Sequence, residues 1–255
     1  MRRALCDFLP QKPGMWVELS ENESRHLLSV LRLGPGDEIE LLDGQGASAP
    51  ARIEFKGKSP GAVLMESPRF DPRRTSAPVE LYMSVLKGEA MEWVIEKSVE
   101  LGVRALTPVE TEFSVVKLKK KGLENFQERW QKMADQSLKQ CGRLDRMVIH
   151  TPVSFETALE KAGPWIWLDE DLAEKGGIEQ HLNRACPTAP EDRTVRILIG
   201  PEGGFSPKEK SRLLQLTGSE KREINRAHLG SLILRAETAA LAAVAIAVGQ
   251  HYGKR

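Results

Sequence analysis

The chain has 255 residues, of which 40% are hydrophobic and 5% aromatic; 37 Lys and Arg are balanced by 36 Asp and Glu, for a net charge of +1. That length accommodates one large domain or two modest ones, each with a core that needs no disulfide. Near-zero net charge carries no bulk signature of a nucleic-acid protein, and the low aromatic content argues against a sheet built to stack single-stranded bases.

The first seventy or so residues read as β-rich. Trp16–Leu19 alternates at strand period, and Asp37–Asp43 does so in part, between the turns Gly34-Pro-Gly36 and Asp43-Gly-Gln-Gly46. Ala49–Phe55 and Ala62–Glu66 supply further strands. One short helix fits between them: Ser20-Glu-Asn-Glu23 has capping-box spacing, and His26, Leu27, Val30 and Leu31 follow at helical spacing. Short strands with glycine turns point to a small barrel. Ser67–Pro78, with three prolines and three arginines, then breaks the periodicity, and the domain boundary is placed there, dividing the chain into 1–72 and 76–255.

From Val79 the pattern alternates. Val79–Leu86 is a strand, Glu89–Leu101 a helix ended by Gly102, and Val103–Val109 a strand. Glu124–Gln140 is an amphipathic helix with Phe126, Trp130, Met133 and Leu138 roughly on one side. Met147–His150, Trp165–Leu168 and Val195–Ile199 are short apolar runs bounded by turn residues, and Pro207–Leu216 and Leu234–Val248 are helices. Strands alternating with helices imply a mostly parallel sheet covered on both faces, an α/β domain. Ala239–Gly249, the most apolar run, is too short to span a bilayer and reads as a buried helix.

Charge is uneven along the chain. Between Val115 and Arg146, nine basic residues (Lys117, Lys119, Lys120, Lys121, Arg129, Lys132, Lys139, Arg143, Arg146) face four acids (Glu124, Glu128, Asp135, Asp145). Such a run either holds phosphates or is a solvated face. The cysteines Cys6, Cys141 and Cys186 are far apart and form no CxxC pair; with no secretory signal in Met1–Asp7, they fit a reducing cytoplasm. The histidines His26, His150, His181, His228 and His251 show no metal spacing, and no metal is expected.

Two C-terminal segments carry the most information: Leu198-Ile-Gly-Pro-Glu-Gly-Gly-Phe-Ser-Pro-Lys-Glu209 and Leu229-Gly-Ser-Leu-Ile-Leu-Arg-Ala-Glu-Thr-Ala-Ala240. In the first, an apolar strand runs into a glycine-rich turn. Ser206 then offers an N-cap, Pro207 suits the first helical position, and Glu209 completes a capping box. The turn glycines allow close approach of a ligand, and the free N–H groups of the new helix favour an anion. An ordinary strand–turn–helix connection has the same pattern. The second segment repeats it, with a loop at His228–Ser231 before an alanine-rich helix.

Together the two segments resemble the paired signature of the RsmE family, bacterial methyltransferases that modify N3 of a uridine in 16S ribosomal RNA and belong to the SPOUT superfamily. The resemblance spans nearly the whole chain: His26–Arg32, Pro35-Gly-Asp37 and Asp43-Gly44 near the start; Lys87-Gly88, Glu96–Val103, Pro108, Thr111-Glu112, Ser114, Arg129-Trp130 and Gln140–Arg143 in the middle. Ser231 and Leu232 depart from it, since related sequences often carry a proline or a basic residue there.

The resemblance implies a PUA-like RNA-binding barrel followed by a SPOUT domain with a deep trefoil knot, and a homodimer. It implies S-adenosylmethionine as cofactor, held in three loops by Leu168, by Ile199, Gly200, Pro201, Glu202, Gly203 and Gly204, and by His228, Leu229, Gly230, Ile233 and Leu234. Arg235, taken as one turn into the last helix, is the candidate to hold charge on the target base, with a salt bridge to Glu237 or Glu202 as the alternative. Glu202 either orients a loop amide or acts as a base. Arg2, Arg3 and Arg32, with Arg143 from the other lobe, are candidates for RNA phosphate contact. Ribosomal RNA or the assembled small subunit is the implied partner. Competing readings are a SPOUT enzyme acting on another RNA, such as a 2′-hydroxyl of transfer RNA, and a non-catalytic RNA-binding protein.

Overall fold

The computed structural model describes residues 2–116, 122–170, 176–185, 194–217 and 223–253. Of the residues discussed above, Lys117, Lys119, Lys120, Lys121 and Cys186 lie outside them. The chain divides into two compact units: Met1–Thr75 with Asp135–Arg146, and Ser76–Ala134 with Met147–Arg255.

The first unit contains β1 (Arg2–Leu5), β2 (Trp16–Glu18), α1 (Glu21–Arg25), β3 (Glu38–Leu42), β4 (Ala47–Lys56), β5 (Ser59–Leu64) and β6 (Arg69–Phe70). They form one sheet in the order β1-β3-β4-β5-β2, with β6 on β4. Alternation along the strands turns Ile39, Leu41, Ala49, Ala51, Ile53, Ala62 and Leu64 into a single buried core with Leu27. Strand β1 escapes the sequence pattern because it is only four residues long and begins with two arginines; its parallel pairing with β3 is a long-range contact. Helix α1 starts where Ser20 accepts from the Glu23 N–H, but the reciprocal half of the expected capping box is absent. Glu23 is engaged elsewhere: it accepts from the Leu5 N–H and from Lys139 Nζ.

The segment 135–146 joins this unit through arginines. Arg3 donates from Nε to Glu40 at 2.8 Å and from Nη1 to the Lys139 carbonyl at 2.8 Å. Arg74 donates from Nε to the Gly142 carbonyl at 2.7 Å and from Nη1 to Glu40. Arg143 is buried, with Nε 3.0 Å from Asp145. One of the four arginines expected at RNA is thereby corrected: Arg143 is a buried member of this unit rather than of the other lobe and does not reach a surface, while Arg3 stays partly exposed with bonds inside the unit. Arg2 and Arg32 are exposed, and Arg32 holds an uncommon left-handed φ of 57°.

The second unit contains β7 (Val79–Ser84), α2 (Glu89–Leu101), β8 (Ala105–Glu110), α3 (Leu123–Cys141, whose last turns belong to the first unit), β9 (Val148–Ile149), β10 (Val153–Ser154), α4 (Phe155–Ala158), β11 (Trp165–Leu168), α5 (Ile178–Ala185), β12 (Val195–Ile199), α6 (Pro207–Leu216), β13 (Ile224–Ala227) and α7 (Ala236–Tyr252). The sheet runs β10-β8-β7-β12-β11-β13, with β9 on β8, and every pairing in it is parallel. Successive residues of β7 and β8 are buried on both sides, as expected of a parallel sheet with helices on each face. On one face Tyr82, Trp165, Trp167, Leu198, Phe205 and Leu213 form a continuous core. Helix α7 packs against α2, α5, β7 and β12. Helix α2 ends as expected at Gly102, which takes a left-handed φ of 91°. Strand β13 and helix α5 escape the sequence pattern. Ile224-Asn-Arg-Ala227 has one branched apolar residue, and its strand state comes from pairing with β11. Among the described residues no helix is long and apolar enough to cross a membrane.

Burial works against the charge of Glu40, but hydrogen bonds from Arg3 and Arg74 outweigh it and hold its pKa below the ordinary 4.5. A carboxylate depressed in the folded state stabilises above its unfolded pKa, and that contribution is lost as pH falls through the lower folded value. The stability difference between wild type and Glu40→Gln, measured by urea unfolding, is therefore expected to be full at pH 7 and to close as pH drops below about 4.5. A difference that stays constant down to pH 3 contradicts the Arg3–Glu40–Arg74 linkage.

Candidate functional site

Because β11, β12 and β13 are adjacent and parallel, their carboxyl ends open on one edge of the sheet. A cavity of about 650 Å³ lies there, within the range of about 300–1,000 Å³ usual for small-molecule sites. Its wall is made by the residues after β11, by the turn after β12 and by the loop from β13 into α7. Leu168, Ile199, Gly200, Pro201, Glu202, Gly203, Gly204, His228, Leu229, Gly230, Ile233, Leu234 and Arg235 all line it, so three segments that are up to sixty-seven residues apart in sequence meet at one place.

The turn after β12 is held from behind. Gly204 N–H closes it on the Pro201 carbonyl at 2.9 Å, and Phe205 is buried against Phe155 and Trp167. Gly204 has a φ of +69°, which disfavours any side chain, and a Cβ placed on it would stand 3.3 Å from Glu170 Oε1. The capping box of α6 forms in full: Glu209 N–H donates to Ser206 Oγ at 3.3 Å and Ser206 N–H to Glu209 Oε2 at 2.9 Å. This narrows the expectation of free helix N–H groups for an anion to the Lys208 N–H. The Ser206 and Glu209 donors are satisfied within the chain, and Pro207 has none to offer.

The third loop is pinned at His228, whose N–H donates to the Gly176 carbonyl and whose carbonyl accepts from the Ile178 N–H. His228 Nδ1 accepts from the Gly230 N–H at 3.2 Å. Leu232 and Ile233 are 79% and 83% exposed, so they form a rim rather than a core. Arg235 is not one turn inside the last helix. It is the N-cap residue of α7, in extended conformation, and its side chain is 87% exposed with Nη1 4.0 Å from Glu237, the outer limit of an ion pair. Helix α7 starts two residues later than its apolar pattern because Leu234 and Arg235 belong to the loop.

Two acids that sequence reasoning missed form the base of the site. Asp169 and Glu170 follow β11 directly and line the cavity. The Asp169 side chain is 3% exposed; Oδ1 receives Lys210 Nζ at 2.8 Å, and Oδ2 receives Arg226 Nη2 at 2.9 Å. Lys210 also reaches Glu170 at 3.3 Å. Burial lowers the Lys210 pKa, but its bonds to Asp169 and Glu170 prevail and the net shift is upward. Asp169 thus ties β13 and α6 to the end of β11. The signal was a run of three acids, Asp169-Glu170-Asp171, immediately after a strand as apolar as Trp165-Ile-Trp-Leu168, but nothing local identified the partners of the first. Among the described residues no group of three or more His, Cys, Asp or Glu is arranged to hold a metal ion.

An RNA methyltransferase domain matches residues 73–248, and an RNA methyltransferase PUA domain matches residues 19–60. The chain belongs to the RNA methyltransferase family. Among its relatives, the ribosomal RNA small subunit methyltransferase E of Bacillus subtilis is 28% identical over 229 residues, covering 89% of this chain and 87% of that protein. A methyltransferase from Legionella pneumophila, solved with bound SAM, is 30% identical with a TM-score of 0.82, covering 97% of each chain. The ribosomal RNA small subunit methyltransferase E of Neisseria gonorrhoeae, bound to S-adenosyl methionine, is 27% identical with a TM-score of 0.75, covering 96% of this chain and 95% of that one. The resemblance read from the two C-terminal segments therefore holds along the chain, and the RNA methyltransferase fold comprises the PUA-like first part and the α/β second part that the resemblance implied.

Asp169→Asn removes one charge from a buried cluster and leaves Arg226 facing a neutral group, while Lys210 keeps its contact with Glu170. The expected loss is about 3 kcal/mol of folding free energy at pH 7, read from denaturant midpoints. A loss under about 0.5 kcal/mol, the scale of an ordinary surface change, contradicts a fastening role.

Proposed function

We propose that this chain transfers the methyl group of S-adenosylmethionine to N3 of a uridine in the 16S RNA of the small ribosomal subunit. The observation that carries the reading is the cavity formed by the loops after β11, β12 and β13 in a chain of the RNA methyltransferase family. The residues present fit the cofactor. Leu168, Ile199, Leu229, Ile233 and Leu234 offer apolar contact, the bare Gly204 leaves room at the wall, and the half-exposed carboxylate of Glu170 suits a cationic sulfur. Relatives from Legionella and Neisseria hold that cofactor. Bound there, it supplies a methyl group on an electron-poor sulfur.

The protein's remaining work is orientation and charge. N3 of uracil lies on the Watson–Crick edge, so the base has to leave any helix before it is reached. Once N3 loses its proton, charge spreads to the flanking carbonyl oxygens. Arg235, exposed at the cavity, is assigned to hold that charge. Glu202 is exposed in a turn that a backbone hydrogen bond already closes, which supports a base role over an orienting one. Arg2 and Arg32, with the partly exposed Arg3, remain the candidates for phosphate contact from the first unit.

The finer architecture belongs to the same reading: the six-stranded sheet of the first unit as a PUA-like barrel over 1–72, the SPOUT domain over 76–255 with its trefoil knot, a homodimer and a cytoplasmic location. In α7, Ala240, Ala243, Val244, Ala247 and Val248 are buried within the chain, so the partly exposed Leu241, Ala242 and Ile246 and the exposed Ala245 are among the positions left for a partner subunit. The names of the relatives favour ribosomal RNA over transfer RNA and an enzyme over a passive binding protein.

Incubation with labelled methyl donor and unmodified small subunits or their RNA, followed by digestion to nucleosides and mass spectrometry, is expected to yield 3-methyluridine. A 2′-O-methyl product, or none, rejects the reading. Gly204→Val forces a β-branched residue into a left-handed conformation and is expected to weaken cofactor binding by about tenfold or more in calorimetry, with circular dichroism unchanged. Arg235→Ala is expected to keep cofactor affinity within about twofold and to lower kcat by about 10²–10³. Turnover within a few-fold of wild type assigns Arg235 no part in the chemistry.

A further inference from the structure

Phe113 is an exposed aromatic held in place more firmly than its exposure requires. It is 44% exposed, in the loop after β8. The residues around it are not loose. Thr111 and Ser114 are buried; their hydroxyls are 2.7 Å apart, the Thr111 N–H donates to Ser114 Oγ at 3.2 Å, and the Ser114 N–H donates to the Thr111 carbonyl at 3.2 Å. Between them, the Glu112 N–H donates to Glu209 Oε1 at 2.9 Å. Glu209 is the same buried carboxylate whose other oxygen caps α6, so one side chain fastens the Phe113 turn to the turn after β12. A Cβ built on Gly203, which lines the cavity, would stand 3.4 Å from Phe113 Cβ and 3.9 Å from Cδ2. The ring therefore borders the candidate site on the far side of Gly203.

We infer that Phe113 is an RNA-contact residue, the aromatic face against which the extruded target base or its immediate neighbour stacks. The inference deepens the proposed methyl transfer and rests on it. A pyrimidine taken out of its helix loses its stacking partners, and an aromatic ring restores part of that energy without reading sequence. A side chain serving this purpose has to be exposed before RNA arrives, close to the cofactor, and fixed, because ordering a mobile ring on binding would spend the energy gained. Phe113 is exposed, stands beside Gly203 of the cavity wall, and is carried by a backbone turn anchored on both sides of it. Among the described residues no other aromatic beside the turn is exposed: Phe205 is 5% exposed and committed to the core.

Four forms are compared, wild type, Phe113→Ala, Phe113→Leu and Phe113→Tyr, by calorimetry with S-adenosylmethionine and by methyl transfer to unmodified small-subunit RNA. Phe113→Ala is expected to raise KM for RNA at least about fivefold with cofactor affinity unchanged. Phe113→Leu keeps apolar bulk without a π face and is expected to behave like Phe113→Ala, whereas Phe113→Tyr stays within about twofold of wild type. An RNA KM for Phe113→Ala within twofold of wild type overturns the inference, and so does wild-type behaviour of Phe113→Leu. Loss of cofactor affinity in Phe113→Ala also overturns it, since the ring would then be packing for the Gly203 turn. An active wild type separates these results from a failure of the functional reading; wild-type inactivity on this RNA overturns both.

Discussion

Strand β11 pairs in parallel with β12 on one side and with β13 on the other, and the site follows from that arrangement. Three connections that leave the same edge of a sheet have to share the space beyond it. Had β12 or β13 paired antiparallel, its following loop would emerge at the opposite edge, and the glycine turn and the His228–Arg235 loop would not face one cavity. The pairings are made by Trp165-Ile-Trp-Leu168 and Val195–Ile199, strands buried on both faces, whose stability comes from the layers of helix above and below.

The edge is then fastened by buried carboxylates rather than by apolar packing alone. Asp169 joins β11 to β13 and α6 through Arg226 and Lys210, and Glu209 joins α6 to the turn after β8. A buried charge is expensive unless paired, so each of these acids holds its partners in one geometry. The result is a cavity whose wall residues are mostly backbone and apolar, standing on a charged frame. Arg235 and Glu202 are polar groups exposed at its mouth. Glu209 shows how one local signal hides a second use: capping-box spacing gives it a complete local explanation, and only the fold reveals that its other oxygen serves a distant loop.

Arginine function divided in the same way. Arg2, Arg3, Arg32 and Arg143 look alike in sequence. In the first unit, Arg3 is taken by Glu40 and two carbonyls and Arg143 by Asp145, while Arg2 and Arg32 stay exposed. Arginine supplies five donors in a rigid fork, and a segment such as 135–146, with carbonyls at a helix end and a turn, is a natural place for those donors to be satisfied.

What the sequence determined by itself was local or repetitive. The boundaries of α2 at Gly102 and of α6 at Ser206 were legible because caps act within four residues, and the α/β class was legible because hydrophobic period changes between strand and helix. The candidate cavity was legible in its glycine turn and its second loop, through a resemblance of motifs. The tertiary structure alone decided the rest. It recruited weak strands such as Arg2–Leu5 and Ile224–Ala227, kept Arg235 out of the last helix, assigned Asp169 its two cations, and placed Phe113 beside Gly203. Each of these depends on contacts between residues distant in the chain, whose free energy comes from desolvation and pairing in a particular packed arrangement, and no short window of sequence contains both partners.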